Sequence, residues 1–288
     1  MVGTASQRIQ HHFHRPLPRQ VLEWVRLQRR VTRGTLFSPP LIGGSGLLAI
    51  RQLRSLTRSG YDLISFNYAG HGHSTPPFTL NASIRDTRRM LDLAIRETRP
   101  KRLPLFGIGL CYGSIPTVCA AHKAREPFRG IVLINALPRL FTFDLIHSFR
   151  KFCRGHQIRT RSNAFTTMLK RYSDRLFPNI DKNLARFGTL ERQRISLVRT
   201  LWEAVTRNPL KHVRLENTPV LSIYSPNDPL LGAYRLFDNR WDYEAHIRRI
   251  CPRSTFVVLK GDHFLSAAQD RRLAQQAVSG FLNQMGSG

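Results

Sequence analysis

Apolar side chains along this chain recur with two different periods. Four short runs, residues 103–108, 130–135, 218–225 and 254–259, are apolar or β-branched with almost no charge, as strands buried on both faces must be. Between and after them the spacing turns helical. Residues 81–98 place Ile84, Met90, Leu91 and Ala94 or Ile95 on one side, residues 114–124 form a helix of small residues, and 242–250 and 267–285 complete the set. Strands that alternate with helices of this length predict an α/β protein with a mostly parallel central sheet flanked by helices. Ser38-Pro39-Pro40 marks the start of the strand-bearing core. Ahead of it, residues 1–35 show no pair of alternating strands. They are expected to form a basic arm with an amphipathic piece at 21–31.

The run 103–108 leads into Gly109-Leu110-Cys111-Tyr112-Gly113, and the helical pattern begins at Ser114. A buried strand that reverses sharply into a helix holds its apex residue in a strained backbone conformation, and only small residues two positions either side avoid a clash. Gly109 and Gly113 meet that condition. Cys111 then stands at the start of a helix, where unpaired amides and the positive end of the dipole favour a thiolate. This is the spacing of a nucleophile elbow with cysteine in place of serine. A structural cysteine in a tight turn would have the same pattern.

Two further groups fall in the order nucleophile, acid, histidine. The strand at 218–225 runs into Pro226-Asn227-Asp228-Pro229, a turn carrying a carboxylate, and the strand at 254–259 ends at Lys260-Gly261-Asp262-His263-Phe264. Asp228 is the candidate acid and His263 the candidate base. Parallel strands put all three turns at the carboxyl edge of one sheet. Asp262 is the alternative acid, but a side chain next to the base in sequence usually points elsewhere. His71 and His73 read as turn-stabilising groups, and His147, His156 and His212 as solvated ones. His11, His12 and His14 cluster without the cysteine or carboxylate spacing of a ligand set, so no metal is expected.

With these motifs in place, residues 36–283 resemble the α/β-hydrolase superfamily. Leu41-Ile42-Gly43-Gly44-Ser45-Gly46 is similar to the glycine-bearing loop that supplies half of an oxyanion hole, and Gly70-His71-Gly72-His73-Ser74 is similar to the family's turn after an early strand. The resemblance divides the chain into the arm (1–35), a first core part (36–137), an inserted helical cap (138–216) and a second core part (217–288). The sequence departs from the family at Ile42, where many members have histidine, and at Cys111. A cysteine nucleophile resembles dienelactone hydrolases, polyhydroxyalkanoate synthases and some acyl-transferring thioesterases.

In the chemistry this resemblance implies, His263 deprotonates Cys111 and Asp228 orients the imidazolium. The backbone N–H groups of Tyr112 and Gly44 bind the oxyanion, each donor contributing about 2.7–4 kcal/mol. Acyl exchange from sulfur to sulfur is nearly isoenergetic, so a cysteine suits a thioester donor. The expectation is a thioesterase or acyltransferase with no bound cofactor, its acyl group carried on coenzyme A or an acidic acyl carrier protein. A carboxylic-ester or lactone hydrolase is the alternative within the same chemistry. A non-catalytic hydrolase-fold protein that binds an anionic partner is the alternative outside it.

Charge adds a second constraint. The chain has 45 Lys and Arg against 18 Asp and Glu, a formal net charge of +27, far beyond what solubility requires. The excess concentrates in residues 1–35 and in 138–216, where 17 basic residues face 6 acidic ones. Phe141, Phe149, Phe165, Leu169, Leu201 and Trp202 recur there at helical intervals, so the cap is expected to be amphipathic and basic. A solvated face, docking of an anionic acyl donor, and adsorption to an anionic membrane all fit. Nucleic acid ranks last because no binding motif accompanies the charge. Cys111, Cys119, Cys153 and Cys251 show no paired spacing, and there is neither a span-length apolar run nor a secretory h-region. A cytoplasmic protein, peripheral to the membrane in the third case, is expected. The arginine-rich start would alternatively suit an organellar presequence.

Overall fold

The computed structural model describes residues 8–41, 44–57, 59–75, 77–137, 199, 202, 203, 206, 208–228, 231, 242–261, 265 and 267–286. The expected cap lies almost wholly outside these residues, as does His263.

Eight described strands form one sheet in the order β1-β2-β4-β3-β5-β6-β7-β8. They are β1 (Arg8–Leu17), β2 (Gln20–Gln28), β3 (Thr35–Phe37), β4 (Asp62–Phe66), β5 (Leu105–Leu110), β6 (Gly130–Ile134), β7 (Val220–Tyr224) and β8 (Ser254–Val258). From β4 across to β8 every pairing is parallel, whereas β1–β2 and β2–β4 are antiparallel. The helices are α1 (Gly46–Thr57), α2 (Leu80–Thr98), α3 (Ser114–Lys123), α4 (Tyr243–Ile250) and α5 (Ala268–Gly286).

Two-residue periodicity in the strands sorts their side chains into two cores. Phe37, Ile64, Ile131 and Leu133 pack on one face with Met90 and Leu91 of α2 and Ile115 and Val118 of α3. Their strand neighbours Leu36, Leu63, Val132 and Ile134 pack on the other with Ile50 and Leu53 of α1 and Val278 and Leu282 of α5. Because each strand serves both cores, it shows no polar face, which is why the runs read as uniformly apolar. Thr79 caps α2 by accepting from Ala82 N at 3.1 Å.

The expectation that residues 1–35 lack paired strands is corrected. Residues 8–28 form the antiparallel hairpin β1–β2, with His12 opposite Trp24 and Ile9 opposite Leu27. The sequence pattern hides it for a physical reason. β2 is buried on both faces and yet carries two charges, Glu23 and Arg26. Arg26 donates to Asp62 Oδ2 at 2.8 Å and Glu97 Oε2 at 3.2 Å, while Glu23 Oε2 accepts from Asn67 Nδ2 at 2.7 Å. These partners lie far along the chain, so the charges look like those of a solvated arm until the fold supplies what satisfies them.

The Arg26–Asp62 pair also joins the antiparallel hairpin to the parallel part of the sheet. Asp62 Oδ1 accepts from Arg29 N at 2.9 Å, so both carboxylate oxygens are used. Removing one partner of a buried ion pair leaves an uncompensated charge. Asp62→Ala is expected to lower unfolding stability in urea by about 3 kcal/mol, the low end of the usual range because Glu97 still faces Arg26. Replacing both residues together with apolar ones should recover most of that loss.

Candidate functional site

The elbow begins with geometry at Cys111. Its φ is +48°, in the left-handed region that a residue with a Cβ rarely adopts. A single turn of 3-10 helix, Cys111–Gly113, joins the end of β5 to α3. A Cβ added at Gly109 would lie 2.5 Å from Ser114 Cα, and one added at Gly113 would lie 2.9 Å from Pro39 O. Both obstructions are backbone atoms that cannot rotate away. The two glycines are therefore required by the turn, as the spacing predicts.

The strained residue is pinned from its other side. Ser114 Oγ donates to Cys111 O at 2.5 Å, and Leu137 N reaches both Ser114 Oγ at 3.2 Å and Cys111 O at 3.4 Å. The carbonyl of the elbow is thus held by its own helix and by the loop after β6. The Cys111 side chain is partly exposed, whereas Tyr112 is buried and its hydroxyl shares a 2.6 Å hydrogen bond with Ser83 Oγ. Burial pushes the Tyr112 phenol well up, so it stays neutral and serves as an anchor. Tyr112 follows the apex at the start of the turn into α3, where the first amides of a helix lack partners within it.

Asp228 is fully buried at the end of β7, its N–H donating to Ser225 O at 3.1 Å. That turn is built by residues the sequence did not single out. Asn135 ends β6 with φ +43°, and its Oδ1 accepts from Ser225 N at 3.1 Å. Asn227 N donates to Ser225 Oγ at 3.2 Å, and Asn227 Nδ2 donates to Lys260 O at 3.3 Å beyond β8. Asparagine at a strand end is a recognisable left-handed signal, but its partner ninety positions away is not.

Strands β5 and β7 are separated by β6 alone, so their ends stand about 10 Å apart. The loop after β8 adjoins β7 at this same edge. His263 itself is outside the described residues, with Gly261 and Leu265 on either side of it. Leu265 has φ +51°.

Gly44 lies before α1 with its N–H donating to Leu41 O at 3.1 Å, inside its own loop. His71 is buried in the turn after β4, its ring 5.1 Å from that of Phe78, and burial depresses its pKa while the Ala69 carbonyl partly opposes this. Gly70 and Gly72 give this turn its positive φ values. Among the described residues, no cluster of three or more His, Cys, Asp or Glu could hold a metal.

The elbow's tolerance is directly testable. Gly109→Ala forces Ser114 and the start of α3 to move, and overpacking of this kind typically costs about 1–3 kcal/mol. Chemical denaturation should show a loss in that range. If Cys111 is the nucleophile, displacing it by even an ångström should lower the rate of acyl-enzyme formation about 100-fold.

Comparison with known proteins agrees with this fold. A sequence profile of the alpha/beta hydrolase fold matches residues 41–267. No curated protein sequence matches the chain at a significant level. Among solved structures, a hydrolase from Pseudomonas aeruginosa PA01 is 21% identical over 95% of this chain and 98% of its own, with a TM-score of 0.65. A soluble variant of monoglyceride lipase from Saccharomyces cerevisiae is 14% identical over 99% and 97%, with a TM-score of 0.64. A thermophilic esterase from Thermogutta terrifontis is 16% identical over 96% and 99%, also at 0.64. Such identities speak to the fold, and with a profile that spans most of the sequence they show that the chain belongs to the α/β hydrolase fold family.

Proposed function

We propose that the protein is an acyl-transfer enzyme that works through a thioester on Cys111, taking an acyl ester or acyl thioester as donor. The observation that carries this is the φ of +48° at Cys111, held between two glycines whose replacement would strike backbone. Cys111 packs only partly against the core, and strain at such a position supports a nucleophile at a sheet edge.

In the proposed cycle, His263 takes the proton of Cys111 and the thiolate attacks the acyl carbonyl. The tetrahedral oxyanion is met by the Tyr112 N–H. Gly44 N–H, the second donor, exchanges its bond to Leu41 O for the oxyanion. Collapse breaks the bond to the leaving alcohol or thiol, which departs with the proton held by His263. Water or an acceptor then adds to the thioester with His263 again as base, and Cys111 is regenerated. Asp228 orients the imidazole and stabilises its cation. The lipase and esterase names of the structural neighbours support an ester as donor, and the sulfur nucleophile supports a thioester.

Intact-mass spectrometry after mixing with p-nitrophenyl acyl esters and acyl-coenzyme A tests the proposal. An acyl adduct on Cys111, removed by neutral hydroxylamine as a thioester is, is the expected result. Cys111→Ala should form none and lose turnover by about 10⁴-fold or more. An adduct on a serine, resistant to neutral hydroxylamine, would overturn the cysteine mechanism. Absence of both adduct and turnover would favour a non-catalytic binding role.

The other described thiols provide an internal control. Burial pushes Cys119 and Cys251 up to about 12. At pH 8 each is then a thiolate in only about one molecule in 10⁴. Brief alkylation of the native protein followed by peptide mapping should modify Cys111 and leave Cys119 and Cys251 intact.

A further inference from the structure

The outer face of α2 and the hairpin beside it form a surface that the proposed chemistry does not use. Arg85, Arg88 and Arg96 of α2 point to solvent, as do Arg15 and Arg19 of the hairpin. Among the described residues, the acids on these elements leave most of this charge unbalanced. Asp86 is buried and accepts from Gln20 Nε2 at 2.7 Å and Ala69 N at 2.9 Å, and Glu97 is bonded to Arg26. Asp92 is exposed, one carboxylate among the arginines. Hairpin and helix form one face, because Gln20 is bonded to Asp86 and also receives the Arg89 guanidinium on its Oε1. His14 of β1 has its pKa depressed by burial and then by the charges of Arg96 and Arg89.

Two large apolar side chains project at one end of this basic face. Leu17, the last residue of β1, is 49% exposed, and Trp202 is 68% exposed. Glu203, next to Trp202, accepts from Asn81 N at 2.9 Å in the first turn of α2. Asn81 and Asp86 are five residues apart, about 7.5 Å along the helix axis, so Glu203 beside Trp202 and Gln20, the strand partner of Leu17, bind neighbouring turns of α2. This end is the carboxyl edge of the sheet. β1 is antiparallel to β2 and β2 to β4, so β1 ends where β4 ends, and α2 starts there. Cys111 and Asp228 follow strands that finish at the same edge.

We infer that this face adsorbs to an anionic lipid bilayer, with the arginines on the headgroups and Leu17 and Trp202 entering the interface. Charge complementarity selects the occupant. A second copy of a chain carrying +27 would bring like charges together. Nucleic acid would use the arginines but gives no role to an exposed leucine at the substrate edge. Tryptophan and an aliphatic side chain amid cations are the composition that partitions into the headgroup region of anionic membranes. Docked this way, the protein turns its catalytic edge toward the surface from which a lipid acyl chain would come. Binding itself is independent of the acyl-transfer proposal and is read without turnover.

The test is co-sedimentation of the full chain with vesicles of phosphatidylcholine containing about 30% phosphatidylglycerol, against phosphatidylcholine alone. Binding to the anionic vesicles, weakened by salt, is expected. The triple variant Arg85→Gln, Arg88→Gln, Arg96→Gln should partition about ten- to hundredfold less while keeping its thermal unfolding and its turnover of a soluble acyl ester. Leu17→Ser should also weaken binding, and Trp202→Phe should lose most of the tryptophan quenching caused by brominated lipid. No binding to anionic vesicles, or binding that survives the triple variant, would overturn the inference.

Discussion

Everything at the candidate site depends on one strained residue. Holding a non-glycine side chain in the left-handed region costs about 1–2 kcal/mol, and the fold compensates at Cys111 with hydrogen bonds to its carbonyl from Ser114 and Leu137. Each such bond contributes about 0.5–1.5 kcal/mol. The strain is thus balanced locally. It also couples Cys111 to β6, because Leu137 lies on the loop that leaves that strand. From there Asn135 reaches Ser225 and Asn227 reaches Lys260, so the turns after β5, β6, β7 and β8 are linked in sequence across the sheet edge. A shift at any of these turns is transmitted to the spacing between Cys111 and Asp228.

This explains which parts of the molecule could be read from the sequence. Gly109 and Gly113 were legible because the obstruction acts over two residues, and two glycines around one cysteine record it directly. The strands were legible because two cores bury both of their faces. Asn135 and Ser114 were not, since what matters about each is a partner that the fold brings to it. The leading hairpin was missed for the same cause. Arg26 and Glu23 are charges inside a strand, and their partners Asp62, Glu97 and Asn67 come from other elements. A pattern that counts charges as exposed fails where the charge is paired in the interior.

Gly44 N–H donates to Leu41 O in the structure. On the proposed mechanism the two oxyanion donors are then unequal, with Tyr112 fixed by its anchored phenol and Gly44 giving up its bond to Leu41 O. A donor engaged only when charge develops on the substrate discriminates the transition state from the ground state, and that is the part the proposal gives to Gly44.

Backbone strain is itself distributed by function across the sheet. Among the described non-glycine residues, Cys111, Asn135 and Leu265 take positive φ after β5, β6 and β8, at the carboxyl edge. Arg102, Arg125 and Glu126 take it at the opposite edge, before β5 and β6. There the strain has a structural use. Burial alone would raise the Glu126 pKa, but its bonds from Glu216 N, Asn217 N, Thr218 N and Thr218 Oγ outweigh that and hold it down. Its left-handed backbone aims the carboxylate at the segment that leads into β7, and that clamp weakens as the group protonates in acid. At the carboxyl edge the strained residues follow β5, β6 and β8, and one of them is Cys111 itself. The same local distortion fastens the chain at one edge and, on the proposed function, orients a reactive group at the other, and only the chemistry of the side chains distinguishes the two uses.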